Sequence, residues 1–600
     1  MHISELQATG FRNLKGTFPV SHPLAVLVGE NNAGKSNVID ALRIFLEPEA
    51  GPRARLYLTP DDFAHDEVGI RTTETLELAL VFRGLTAVER ARMVTTLAPS
   101  LGPDVARLRM VATLDEAGKV RADFYGGDSN NSEVERWAKE AVTFVYLPPL
   151  RDAAADLRPG RDNRLVSLLS TLAPEGSGDR AAIEAIAKTA NDDLGKVDSI
   201  TEARSRIQQR LHDMVGGEAY SQLSSLAFAD PRFERIVASI RALAGSTAPL
   251  ELTENGLGYN NLLYMSVLLA ALEKRSDAAL RVLLVEEPEA HLHPQLQDLL
   301  VRYLESSGDT STQVIVTSHS PNLASSASVE RVTVMIKSPK TVESVGRTPA
   351  DFGLNAKQLA HLRRFLDVTK ASLLFAKGVI LVEGVAEQLV LPLLADRVGH
   401  SLPESGVTVL NVGGVAFQPF LKLFGTDALP YRCAVISDGD PPESPSDDDE
   451  EPSTTPAGGS VETSDGEDSD AAGEEKAEEE TQELSAVARN LLAWKGDAIT
   501  IELADKTFEW DLALAGNWEP MLDALHPIKP RVSKRLRKEL ADSSDERRAD
   551  KILAAVKDCK GRFAQELAEV ISDRAVAFEV PAYIRRAIEF SASRPSKVSE

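Results

Sequence analysis

Cysteine is nearly absent: Cys433 and Cys559 are the whole complement of a 600-residue chain, too few for a disulfide framework. Long apolar runs are missing too, since no stretch approaches the roughly 18 residues that cross a bilayer. The opening MHISELQATGF has no basic segment followed by an apolar run, so nothing there reads as a secretory signal. Together these absences point to a protein of the reduced cytoplasm. Positive charge is also in deficit, with 66 Lys and Arg against 91 Asp and Glu and a net charge of −25. Such a balance argues against a nucleic-acid partner until the charge is located.

Most of it is local. Between Glu443 and Glu483 stand 17 acidic residues and one lysine, which leaves −9 for the rest of the chain and room for local basic grooves. The stretch is rich in Ser, Thr, Pro and Gly and almost free of large apolar side chains, so it cannot bury enough surface to fold. It is expected to be a disordered insertion over residues 441–484. The remaining chain, at 43% hydrophobic overall, can fill two or three cores of ordinary domain size.

The first chemistry-bearing segment is HPLAVLVGENNAGKSNVIDAL, an apolar strand, a turn from Gly29 to Ser36 and an amphipathic helix. This is a P-loop. Gly29 and Gly34 let the backbone turn so that successive N–H groups, with Asn31, Asn32 and Asn37 alongside, face the phosphates of ATP. Lys35 is placed to reach the β- and γ-phosphates, and the hydroxyl of Ser36 to ligate Mg²⁺. Downstream, RVLLVEEPEAHLHP delivers Glu286 and Glu287 at the end of a buried strand. Glu286 fits the Walker B acid that holds the Mg²⁺ shell, and Glu287 the base that orients the attacking water. QVIVTSHSP then ends a further strand at His319, within reach of a γ-phosphate. Between these, LTENGLGYNNLLYMSVLL sets Gly256 and Gly258 at the mouth of an apolar helix, and the four motifs follow one another in the order of an ABC-type ATPase.

After Phe375 the texture changes. GVILVEGVAEQLVLPLLADRVG gives a buried strand ending at Glu383 and a helix carrying Glu387, VTVLNVGGVAFQPF carries the pair Gly413 and Gly414, and YRCAVISDGDPP ends a strand at Asp438 and Asp440. This order is the pattern of a Toprim domain, whose parallel sheet gathers carboxylates from separate strand ends. Hard oxygen donors select Mg²⁺ or Mn²⁺, and two such ions can stabilise both oxygens exchanged in a phosphodiester displacement. The basic run KPRVSKRLRKEL, Lys529 to Leu540, reads either as a DNA phosphate patch or as an exposed helix face. It has no interleaved aromatics to stack on bases.

The P-loop, the EEPEAHLHP run and the two Toprim motifs together resemble the OLD (overcoming lysogenization defect) family of ATP-dependent endonucleases, and the first half also resembles the heads of SMC and RecF-type ATPases. The resemblance implies an α/β fold: an ABC ATPase over residues 1–164 and 246–368, a helical dimerisation insert over 165–245, whose amphipathic pattern an ordinary helical subdomain explains equally, and a Toprim nuclease over 369–600. It implies that the NGLG turn caps nucleotide held by a second subunit, hence a homodimer or higher oligomer, and it singles out Arg151. It adds Glu509 as a further metal ligand and Lys560 as a stabiliser of charge on the cleaved phosphate. DNA becomes the substrate, in phage defence as in the Gabija system or in repair, with a helicase partner as a possibility the sequence leaves open. An ATP-gated DNA clamp without nuclease activity is the alternative. A topoisomerase would need a nucleophilic tyrosine domain and a primase zinc-binding cysteines, and neither is evident.

If the acidic segment is a solvated loop, deleting Ser444 to Thr481 leaves the melting temperature within about 2 °C, because shortening a loop changes closure entropy only slightly. A larger loss on thermal denaturation would show that the segment packs.

Overall fold

The computed structural model describes residues 1–46, 58–130, 134, 141–149, 157–160, 163–215, 226–227, 230–245, 249–273, 278–307, 311–338, 341–414, 416–439 and 486–593. Arg151, Asp440 and the acidic segment 441–484 lie outside the described residues. The chain divides into two compact units, Met1–Gly346 and Arg347–Glu600.

The strands of the first unit, in chain order, are β1 (His2–Phe11), β2 (Leu14–Pro19), β3 (Leu24–Gly29), β4 (Thr75–Arg83), β5 (Ala106–Leu114), β6 (Val120–Gly126), β7 (Val142–Leu147), a short hairpin of β8 (Leu243–Ala244) and β9 (Leu250–Glu251), β10 (Leu280–Glu286), β11 (Thr312–Ser318), β12 (Val332–Lys337) and β13 (Ser344–Arg347). All but the hairpin form one sheet in the order β6-β5-β4-β1-β2-β13-β12-β3-β11-β10-β7. Its two halves follow different rules. The early strands β1, β2, β4, β5 and β6 pair antiparallel, whereas β12, β3, β11, β10 and β7 are parallel. In β3, β10 and β11 every residue is buried, which is why LAVLVG and LRVLLV read as unbroken apolar runs without alternation.

Gln313 ties the two halves. Fully buried on β11, its side chain accepts from the backbone N–H of Ile3 at 2.9 Å and donates to the carbonyls of Ile3 at 2.8 Å and Ser21 at 3.1 Å. Residues 165–245 contribute helices Gly178–Leu194 and Asp198–Val215, neither with a fully buried residue, and a small core of Ala173, Phe233 and Val237.

The second unit is built on β14 (Gly378–Val382), β15 (Val407–Asn411), β16 (Arg432–Ser437) and β17 (Ile499–Leu503), all parallel in the order β15-β14-β16-β17. Helices Val385–Arg397, Lys560–Ser572 and Ala582–Ala592 share its main core through Leu391, Leu394, Leu567, Ile584 and Ile588. The basic run folds as the helix Pro530–Glu539, seated by Ser533 and Leu536 with Lys534, Arg535 and Lys538 exposed. Among the described residues no helix is long and apolar enough to cross a membrane.

Replacing Gln313 with Leu keeps an apolar volume but strands the buried N–H and carbonyl of Ile3 and the part-buried carbonyl of Ser21. An apparent loss of about 2–4 kcal/mol in urea unfolding is expected for the first unit, and a change below about 0.5 kcal/mol would show that the clasp is dispensable.

Candidate functional sites

In the first unit the turn after β3 opens onto the helix Lys35–Leu46. A side chain at Gly29 (φ 148°) would drive its Cβ to 2.5 Å from the carbonyl oxygen of Met335, and one at Gly34 (φ 89°) to 2.7 Å from Asn13 Oδ1. Both positions therefore demand glycine. Lys35 is buried, and its ammonium donates to the carbonyls of Gly29 and Glu30, each at 2.8 Å, with His319 Nδ1 at 3.2 Å. Burial lowers the Lys35 pKa to about 8 against the pull of Glu287, Glu289 and Glu30. Asn13, Asn31, Asn32, Gly34, Lys35, Ser36, Asn37 and His319 line a cavity of about 670 Å³.

Glu286, at the end of β10, receives two hydroxyl donors: Ser36 Oγ to Oε2 at 2.5 Å and Tyr146 Oη to Oε1 at 2.6 Å. The Arg43 guanidinium stacks over the Tyr146 ring at 4.0 Å. Glu287 has φ 46°, a left-handed conformation that costs a non-glycine residue energy and tends to survive where function requires it. Its Oε1 stands 3.4 Å from His319 Nε2. Glu289 accepts from Ser318 Oγ at 2.7 Å and from the His319 N–H at 3.0 Å, so it holds the histidine's backbone. Burial raises the Glu289 pKa and lowers that of His319, the latter reinforced by Lys35.

Gly256 and Gly258 do not line this cavity. Gly258 falls in the first turn of the helix Leu257–Glu273, where a Cβ would lie 2.5 Å from the carbonyl oxygen of His291. Gly256 meets nothing within 4 Å. Arg12 fixes the P-loop helix from outside, donating to Asp62 at 2.9 Å and to Asn37 and Asp40 at 2.7 Å each. Arg12 and Asn13 stand in the opening hairpin, Tyr146 in the strand VTFVYL and Glu289 inside EEPEAHLHP, and none of the four is marked by a motif of its own.

In the second unit Glu383 follows β14 directly, and its Oε1 accepts from Ser437 Oγ and from the Asp438 N–H at 3.1 Å. Asp438 Oδ1 accepts from the Phe508 N–H at 2.9 Å. Gly414 donates its N–H to the Glu383 carbonyl at 2.9 Å, which joins the glycine pair to the strand end. Glu387 is buried on the first turn of its helix. Strand β17 stops at Leu503, so Glu509 stands in the short helix Phe508–Leu512 that follows. Lys560, the first residue of its helix, donates to Glu509 Oε2 at 2.9 Å.

These carboxylates repel one another. Burial and the charges of Glu383 and Glu387 lift the Asp438 pKa to about 8. Glu387 is raised by burial, then by Glu509 and Glu383. Burial opposes the charge of Lys560, yet Glu509, Asp438 and Glu387 together push its pKa up. Among the described residues no three acidic, His or Cys side chains close on one point as ligands would. The donor set is nonetheless all hard oxygen, and its mutual repulsion is what a divalent cation relieves, so the residues fit that class of metal.

A nucleotide-type P-loop unit and a carboxylate-bearing Toprim sheet in one chain define an ATPase joined to a metal-using domain. The chain belongs to the AAA ATPase domain family, whose model matches residues 1–144 and 168–324, and its residues 374–440 match the Toprim domain of overcoming lysogenization defect protein-like proteins. It is similar to the OLD nuclease of Thermus scotoductus, 24% identical over 69% of this chain and 78% of that protein. It is also similar to the endonuclease GajA of Bacillus cereus, 21% identical over 70% and 72% of the two. A solved C-terminal region of the Xanthomonas campestris OLD protein is 26% identical, covering 36% of this chain and 95% of that one, with a TM-score of 0.25. ATPase and Toprim domains imply use of nucleotide and of divalent metal.

Tyr146 donates to Glu286; with Glu286 as the expected Walker B acid, Tyr146→Phe is expected to slow ATP hydrolysis about tenfold, the worth of one hydrogen bond to a charged group, with ATP affinity changed less than about twofold. Unaltered turnover in a steady-state phosphate-release assay would refute this role.

Proposed function

We propose that this protein is a DNA endonuclease whose cutting is regulated by its ABC-type ATPase. The observation that carries the reading is that Glu383 and Asp438 at the ends of parallel strands, with Glu387 and Glu509 on the helices that follow, act on one another and surround the charge of Lys560, in the same chain as a complete P-loop with its acidic pair.

In the nuclease unit Glu383, Glu387, Asp438, Asp440 and Glu509 are the groups that hold two divalent ions, Mg²⁺ or Mn²⁺. When bound, these ions supply Lewis-acid stabilisation of the phosphodiester oxygens and a nucleophilic water. Ser437 and the Asp438 N–H fix one oxygen of Glu383. Lys560, charged throughout the neutral range, places a positive group where the pentavalent phosphate accumulates charge. In the ATPase unit Lys35 would exchange the Gly29 and Glu30 carbonyls for ATP phosphates, Ser36 and Glu286 would hold Mg²⁺, and Glu287 with His319 would orient the attacking water. Gly256 and Gly258 cap ATP held by a second copy, which makes the working form a homodimer or larger assembly. The protein acts in the cytoplasm, in phage defence or DNA repair, with a helicase as a candidate partner.

Glu383→Ala and Asp438→Ala are each expected to abolish plasmid cleavage in Mg²⁺ or Mn²⁺ while leaving ATP binding intact. Lys35→Ala, which weakens nucleotide binding, and Glu287→Ala, which traps bound ATP, hold opposite nucleotide states and are expected to cut at different rates. Near-normal cutting by either carboxylate variant would refute the nuclease assignment, and identical rates of the ATPase variants with and without ATP would refute the regulation.

A further inference from the structure

The helix Pro530–Glu539 is seated on the second unit by one face. Ser533 donates its hydroxyl to the Leu522 carbonyl at 2.8 Å, and Leu536 and Leu540 enter the main core. The opposite face carries Arg531, Lys534, Arg535 and Lys538, all exposed. Their spacing is i, i+3, i+4 and i+7, so the four fall within about 100° of arc and along about 10 Å of helix axis.

The cations around this stripe are engaged, and those on it are not. Arg537, to one side, pairs with Asp523. Lys529, which precedes the helix, pairs with Asp558 at 2.5 Å and donates to the Ala555 carbonyl at 2.9 Å. Lys551 stands 3.9 Å from Glu539, the single acid of the helix. The side chains of Arg531, Lys534, Arg535 and Lys538 have no hydrogen bond or ion pair among the described residues. Like charges at this spacing destabilise the helix that carries them, and no acid stands in its first turn to offset Arg531 at the positive end. A face kept only for solvation carries both signs interspersed; this one carries a single sign. The stripe also starts close to the carboxylate centre, since Lys529 is bonded to Asp558 and the chain reaches Lys560, the partner of Glu509, two residues later.

We propose that this face of the helix binds the phosphate backbone of the DNA duplex and holds it on the nuclease unit without reading its sequence. The assignment rests on the nuclease reading above, which makes DNA the substrate. A chain of net charge −25 repels DNA on the whole, so the duplex is met where positive charge is locally uncompensated. Phosphates recur every 3.4 Å or so of axis on each strand, so the stripe matches about three of them. Its two arginines supply planar forks for phosphate oxygens and its two lysines point charges. The helix has no aromatic side chain to stack on a base, which leaves the backbone as what it contacts.

The test is the full-length protein carrying Arg531→Gln, Lys534→Gln, Arg535→Gln and Lys538→Gln together. Its binding to labelled duplexes of two unrelated sequences is read by fluorescence anisotropy in EDTA, so that nothing is cut, from about 50 to about 200 mM KCl. The slope of log affinity against log salt is expected to flatten by about 2 to 4, equally for both sequences, with the melting temperature unchanged or raised. Arg535→Gln alone flattens it by about 1, whereas Arg537→Gln, whose charge Asp523 already holds, leaves it as in the wild type. If the fourfold variant melts lower, the comparison of these two single variants decides. A wild-type slope in the fourfold variant would overturn the proposal, as would no wild-type binding at low salt. Equal losses from Arg535→Gln and Arg537→Gln would do the same, because they would make the effect one of net charge. Plasmid cleavage by Asp438→Ala in Mg²⁺ separates the two levels. If it cuts like the wild type while the fourfold variant loses slope, the nuclease centre is misplaced and the DNA surface stands; if it fails to cut while the fourfold variant keeps its slope, only the surface assignment falls.

Discussion

Both units depend on one constraint: a parallel strand covered on both faces has no room for charge along its length, so charge is displaced to its carboxyl end. β10 runs as seven buried residues and releases Glu286 at its last position and Glu287 immediately after. β14 does the same with Glu383, and β16 with Asp438. The ends of neighbouring strands are held about 5 Å apart by the ladder, which brings side chains distant in sequence to one edge before any of them interacts. The sites are consequences of the sheets.

The two edges handle that charge in opposite ways. At the ATPase edge the charges are partly compensated: Glu286 has two hydroxyl donors, Lys35 has two carbonyls, and one oxygen of Glu289 has a hydroxyl and an N–H while the other is buried without a partner among the described residues. Such a site is preorganised, and a ligand must replace contacts already made. At the Toprim edge Glu509, Asp438 and Glu387 share one lysine, and burial together with the neighbouring charges lifts the Asp438 pKa to about 8. That edge is organised around a positive charge that the protein does not supply.

Local strain marks the first edge as well. Asn32, Glu287 and His291 all adopt positive φ without being glycine, and all three lie in the loops that follow β3 and β10. The surrounding strands are rigid enough to hold these conformations, as backbone strain at a site requires.

The sequence alone determined the α/β class, the order of its motifs and the strand-end placement of Glu286, Glu383 and Asp438, because each follows from local rules: an apolar run, a glycine where the chain must turn, a charge where burial ends. It also located the excess negative charge. Tertiary structure decided the company those residues keep. Tyr146 meets Glu286 across 140 positions and Gln313 meets Ile3 across 310, since the strand order β12-β3-β11-β10-β7 is not the order of the chain. A single sequence carries no local mark of such pairings, which are set by which strands become neighbours and which helix covers them.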